Sequence, residues 1–443
     1  MSEGIIRTQL ANGLKVLLKE IHTAPIISQW IWYRAGSRNE TTGNTGVSHW
    51  VEHMQFKGTE RFPGRNMDRE IARLGGVWNA FTYLDWTAYF ETMPADKIDL
   101  ALQLEADRMV NSLLQDEEVE SERSVIISER QGHENDPMFL LSEQVQATAF
   151  RSHAYRHEVI GDLVDLKAMT RQDLIAYYRK SYTPHNAVLT MAGDFDAQNM
   201  LLKVQELYGK ILAGERSMIQ VNPEPPQRGE RRVIVEGPGE TVYAQVAYHV
   251  PSATHPDFYA LLVLDSLLSG PGSLNMFGGG ISNKTSRLYR ALVEKELAVG
   301  ISGGISATID PFLYNIIVIV HPQHTAQDAI QAMEEQIKLI QDTPPGPAEI
   351  ARAIKQARAL FAYGSESITN QAFWLGFSEM FATYDWFLSY LDHLARVTPQ
   401  DVQRVAQEYL QPYNRVLGIY SPAGQDGVEY QVAVELEEEV NNG

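Results

Sequence analysis

Apolar positions open the chain in two short runs, "GLKVLLKEI" and "IISQWIWYRAG", whose length and β-branched content predict strands. After residue 230 the same order returns in "RRVIVEG" and "ETVYAQVAYHV". Each pair gives way to helical spacing and then to another strand, "TAYFETMP" in the first half and "YNIIVIVHP" in the second. Strands come in groups with helices gathered between them, not in strict βαβ alternation. This predicts an α+β fold of two duplicated domains, each a mostly antiparallel sheet with helices packed on one face.

The duplication is visible residue by residue. "LKAMTRQDLIAYYRKSYTPHNAVL" (166–189) aligns without a gap on "LARVTPQDVQRVAQEYLQPYNRVL" (394–417), at a constant shift of 228. Leu166, Thr170, Gln172, Asp173, Pro184, Asn186, Val188 and Leu189 all meet identical residues. Each copy reads as a Thr N-cap, an amphipathic helix, a Pro–Asn turn and a strand. Between the halves, "GERSMIQVNPEPPQRGERR" carries Pro223, Pro225 and Pro226, which deny it helix and ladder hydrogen bonds. The expected division is a first domain over 1–215, a Pro-rich linker over 216–232 and a second domain over 233–443.

Composition narrows the function classes. The 443 residues are 44% hydrophobic and 21% charged, as in ordinary globular chains, and carry a net charge of −19. So acidic a chain lacks the basic footprint that nucleic acid requires. With no cysteine, disulfides, thiolate nucleophiles and Cys-containing zinc sites are excluded, and any metal must be held by His and carboxylate. No apolar run reaches a membrane span, and the start "MSEGIIRTQLANGLKVLL" reads as a strand, not a signal peptide. A cytoplasmic location is the simplest expectation.

The candidate chemistry lies in "TGVSHWVEHMQFKGT", residues 45–59. On a helix, His49 and His53 stand one above the other, about 6 Å apart along the axis, and can chelate one ion. Glu52 is placed to face a metal-activated water and relay its proton. Spacing alone also fits two packed or surface histidines. A catalytic zinc needs a third ligand, and the best donor helix is "QDEEVESERSVIISERQGHENDP" (115–137). There Glu122 and Glu129 lie seven apart on one face, with Val125 and Ile126 between them as packing residues.

"HWVEH" resembles the inverted motif His-x-x-Glu-His, and its context resembles the pitrilysin and insulinase family of zinc metallopeptidases, in the branch of the mitochondrial processing peptidase. "LGGVWNAFTYLDWTAYF", "ERSVIISERQGHENDP", "HEVIGDLVDLKAMTRQDL" and "SYTPHNAVLTMAGD" follow in that family's order. The resemblance implies that His49, His53 and Glu129 bind one Zn2+ per chain, with Glu129 76 residues beyond His53. It implies that Glu52 is general base and then general acid, and that Glu122 is a second glutamate of the catalytic site that supports it. It implies further that "VWNAFTYLDW" is an edge strand to which a peptide substrate adds as a β-strand, bound by Asn79, Ala80 and Phe81 with Asn79 and Ala80 closest to the scissile bond. The residues alone also fit an ordinary strand with Trp78 and Phe81 in the core.

The second half departs from the family pattern. Where relatives carry an Arg and a Tyr that hold the substrate carbonyl, "SRLYRALVEKELAVGIS" has Val293, and Val299 or Gly300. Valine has no donor for an oxyanion. The chain therefore resembles the zinc-bearing subunit of a heterodimer whose homologous partner supplies the Arg/Tyr pair. Two alternatives stay open: Arg287, Tyr289 or Arg290 substitutes locally, or the chain is a non-catalytic scaffold subunit of a larger complex. The loop "SGPGSLNMFGGGISNKTS" (269–286) resembles a glycine-rich substrate-contacting loop and lacks the order of a phosphate-binding loop. His133, His153, His157 and His185 match no ligand position and read as structural. The acidic end "ELEEEVNNG" reads as solvated.

Overall fold

The computed structural model describes residues 4–214, 221–275 and 281–423. Eleven strands among these residues form two sheets. The first contains β1 (Ile5–Gln9), β2 (Lys15–Glu20), β3 (Ile26–Tyr33), β4 (Val77–Thr82), β5 (Thr87–Pro94) and β6 (Ala187–Gly193). The second contains β7 (Arg231–Gly237), β8 (Tyr243–Val250), β9 (Ala298–Ile305), β10 (Phe312–Val320) and β11 (Arg415–Pro422).

Strand order is β1-β2-β6-β3-β5-β4 in one sheet and β7-β11-β8-β10-β9 in the other, so the last five positions correspond one for one. In each sheet a single pair, β2 with β6 and β7 with β11, is parallel, and the rest are antiparallel. The repeated segment accounts for much of this likeness. Thr170 caps the helix Arg171–Ser181 in a reciprocal box with Asp173, and Thr398 caps Pro399–Tyr409 with Asp401 in the same way. The Asn186 amide donates to Ser181 O at 2.8 Å, and the Asn414 amide to Tyr409 O at 2.8 Å. Each closes a helix end and starts the strand that follows.

The two halves exchange a helix. On β3, Ile27, Ile31 and Tyr33 pack under the first half's own helices, while Trp30 and Trp32 face the other way. That second face is covered by the helix Ile368–Phe381 of the second half, with Phe373 edge-on to Trp30 and Trp32 at 5.5 and 5.4 Å. Reciprocally, Leu141 and Val145 of the helix Pro137–Ala149 in the first half pack on Ala247, Leu313 and Val416 of the second sheet. The helices expected on one face are joined by a partner-half helix on the other, which is why β3 lacks alternation: it is buried on both faces.

Two glycines permit this close approach. A Cβ on Gly376 would lie 1.9 Å from Trp32 Nε1, and one on Gly418 would lie 2.3 Å from Val145 Cγ2. Gly376→Ala is expected to lower unfolding stability by about 1–3 kcal/mol through overpacking, read by denaturant titration. An unchanged midpoint would contradict this tight contact.

Candidate metal centre

The helix Val47–Gln55 begins at Gly46, whose φ of 86° lies in the left-handed region. Its first N–H groups point at the buried carboxylate of Glu40. Gly46 N–H donates to Oε2 at 2.8 Å, while Ser48 N–H and Oγ–H donate to Oε1 at 2.8 and 2.5 Å. A carboxylate suits the positive end of a helix. His157 Nε2 completes the set at 2.9 Å from Glu40 Oε2. Burial opposes protonation of His157, but the Glu40 hydrogen bond and charge outweigh it and raise its pKa above 6.5. That contribution to stability is complete below pH 6.5 and declines as pH rises through the folded value. Glu40→Ala strands His157 and the helix N–H groups, and is expected to cost about 3–5 kcal/mol in thermal or denaturant unfolding.

Trp50, Val51 and Met54 turn into the core, leaving His49 and His53 on the opposite face. The second donor helix, Asp116–His133, is held against the first by Arg123, whose guanidinium lies 4.6 Å from the Trp50 ring and donates to Leu166 O at 2.6 Å. Its inward stripe runs through Glu122, Ile126 and Glu129, with Ile126 fully buried. Val125 does not pack between the glutamates as expected. It is 48% exposed, because one residue before Ile126 is a 100° turn away from that stripe.

The three expected ligands come together. His49 Nε2 and His53 Nε2 are 3.2 Å apart, and Glu129 Oε2 lies 3.9 and 3.7 Å from them. Tetrahedral ligation at about 2.0–2.1 Å requires ligand atoms about 3.4 Å apart, so the triangle accepts a zinc ion with little adjustment. The donor chemistry agrees. His53 Nδ1 is 2.8 Å from Glu122 Oε1, and a carboxylate only accepts, so Nδ1 carries the proton and Nε2 offers its lone pair. Burial, the largest cause, pulls the His49 pKa down to about 3, keeping it in the neutral, ligating form. Glu129 Oε2 is buried with no hydrogen-bond partner among the described residues, an orphan acceptor that a cation would satisfy.

Glu122 also pairs with Lys57 Nζ, so it bridges the His53 ring and a cation. Burial alone would raise its pKa, but the hydrogen bonds from His53 and Lys57 hold it below 4.5. It stays ionised and orients the ring. Glu122→Gln is expected to weaken zinc binding about 10–100-fold, measured by competition with a fluorescent chelator.

Glu52 is buried, and its Oε2 accepts from Thr82 Oγ–H at 2.7 Å. Burial raises its pKa, partly offset by Thr82 and His53. Thr82 ends β4, the outermost strand of the first sheet, paired only with β5. The hairpin bond from Tyr83 N–H to Trp86 O at 2.8 Å sets the parity. Asn79 and Phe81 turn their main chain toward β5, while Trp78, Ala80 and Thr82 present theirs to the open edge. Of the three residues expected beside a substrate, Ala80 therefore offers main-chain pairing, and the Asn79 side chain holds the Ala80 N–H at 2.9 Å. Glu40, Lys57 and Thr82 escaped assignment from sequence, although Lys57 and Thr82 lay inside segments already singled out, and His157 was read only as structural.

In the second half, the stand-ins for the missing donors are engaged elsewhere. Glu349 clamps the Arg287 guanidinium through two contacts of 2.8 Å, and Arg290 donates to Thr285 O at 2.7 Å. Val293 and Tyr289 pack half-buried against the core, and Val299 is exposed on β9. Residues 276–280 of the glycine-rich segment and the acidic end 435–443 lie outside the described residues, as do residue 215 and 216–220 of the expected linker. No helix among the described residues is long and apolar enough to cross a membrane.

Comparison with known proteins gives a consistent picture. Residues 15–163 match the family described as Insulinase (Peptidase family M16), and residues 168–357 match the Peptidase M16 inactive domain. An uncharacterized zinc protease of Streptomyces coelicolor is 28% identical over 91% of this chain and 87% of its own length. A probable mitochondrial-processing peptidase subunit beta of Arabidopsis thaliana is 27% identical over 96% of this chain and 79% of its own. Among solved structures, a protease from Helicobacter pylori superposes with a TM-score of 0.87 at 25% identity, covering 94% of this chain and 99% of that one.

Proposed function

The chain belongs to the insulinase family of peptidases, whose zinc-protease relatives share its cofactor, and from that premise we propose that it is the zinc-bearing subunit of an endopeptidase acting on short or unfolded peptides. The observation that carries this reading is the convergence of His49, His53 and Glu129, with their ligating atoms within 4.8 Å of one another, beside a buried Glu52. Zinc, when bound, supplies Lewis acidity and lowers the pKa of a coordinated water to about 7.

The chain's own residues supply the rest. The open edge of β4 pairs with an extended peptide through main-chain groups at Trp78, Ala80 and Thr82, so docking depends little on sequence. Glu52 takes the proton from the attacking water and delivers it to the leaving amine. Thr82 fixes one Glu52 oxygen and ties the base to the strand that positions the peptide. Glu122 fixes the His53 ring. The oxyanion lacks an Arg/Tyr pair in this chain, and a homologous partner subunit provides it.

The reading is tested by metal analysis with a cleavage assay. About one zinc per chain is expected, with loss of cleavage on chelation and recovery on adding zinc. A purified chain with no zinc, and no affinity for it, would favour the scaffold reading.

A further inference from the structure

The hairpin after β4 leads into a cavity of about 190 Å³ between the halves, walled by Tyr83, Trp86, Leu274, Ile305, Phe373 and Phe377. Trp86 stands edge-on to Phe377 at 6.2 Å, and Phe373 stacks on Phe377 at 5.0 Å. At the rim, Tyr83 OH and Ser306 Oγ meet at 3.2 Å, one from each half. Among the described residues, no charged side chain lines it. The space suits one leucine- to phenylalanine-sized side chain and is too small for a folded segment.

Its position gives it an occupant. Tyr83 directly follows Thr82, which holds Glu52, and a strand advances about 3.3 Å per residue. A peptide paired along the open edge of β4 therefore passes the rim within about three residues of the reacting bond. Its side chains alternate between faces, so only one of two neighbours can enter. On the peptidase reading above, we propose that this cavity receives one large aliphatic or aromatic side chain of the substrate. It reads a side chain where the edge strand reads only main chain, and sets a preference at a single position near the cut.

The test uses the full-length, zinc-loaded chain in its Glu52→Gln form, so that binding is read without turnover. Fluorescent unstructured peptides differ at one residue, Leu, Phe, Ala or Asp, placed in turn at three positions on either side of the bond cleaved by the unmutated enzyme with its partner. At one position the Leu and Phe peptides are expected to bind at least about ten-fold more tightly than the Ala peptide. Filling the cavity with Ser306→Phe, or with Leu274→Trp from the opposite wall, should reduce them to the Ala level. The Ala peptide and the melting temperature should be unaffected. A preference that survives both filled variants, or no preference at any position, overturns the cavity's role while leaving peptide cleavage intact. No cleavage of any peptide by the unmutated enzyme overturns the peptidase reading, and this inference with it.

Discussion

Glu52→Gln is expected to retain about one zinc per chain while lowering peptide turnover on the order of 10²–10⁴-fold. The side chain keeps its shape and its bond to Thr82, and it is not among the three residues whose atoms converge as ligands. What it loses is basicity. In the unmutated chain, burial holds the Glu52 pKa above the ordinary 4.5. The rate should therefore rise with pH through a value above 4.5, as the carboxylate form accumulates. The variant should lack that limb. Turnover equal to that of the unmutated chain would remove Glu52 from the proton relay, whatever the metal content.

The second large effect is expected from adding a partner. One preorganised oxyanion donor is worth about 10²–10³ in turnover. This chain has Val293, and Val299 or Gly300, where the family pattern it resembles calls for donors, and Arg287 is held by Glu349. Turnover of an unstructured peptide by the chain alone should therefore rise by about 10²–10³-fold or more when a homologue bearing the Arg/Tyr pair is mixed in. A catalytically dead partner that keeps Arg and Tyr should serve equally well, which separates donor supply from a second active site. Full activity of the isolated chain, unchanged by any partner, would show that its own residues complete the site.

The metal helix and its donor helix were legible because their signals are local. Residues four apart on a helix share a face by geometry, so His49 and His53 needed no knowledge of the rest of the chain. The same holds for the capping boxes at Thr170 and Thr398, each confined to four residues. Val125 misled because an apolar residue between two functional carboxylates suggests packing, whereas burial on a helix is set by angle. Glu40 gave no signal. It lies in a turn-rich stretch, and its role depends on His157, 117 residues away.

Periodicity and the 228-residue repeat by themselves determined that there are two like halves, most of the strands that build their sheets, though not β9, and where the paired imidazoles sit. They did so because hydrophobic period, capping and turn chemistry act over a few residues. Only the tertiary structure decided that the halves exchange helices and that Ala80 turns its main chain to the open edge of β4, and it alone shows Glu129, which the family resemblance implied, meeting the two histidines. Those outcomes depend on contacts between residues far apart in the chain. Close packing selects among them, at Gly376 against Trp32 and Gly418 against Val145, and no local pattern encodes such fits.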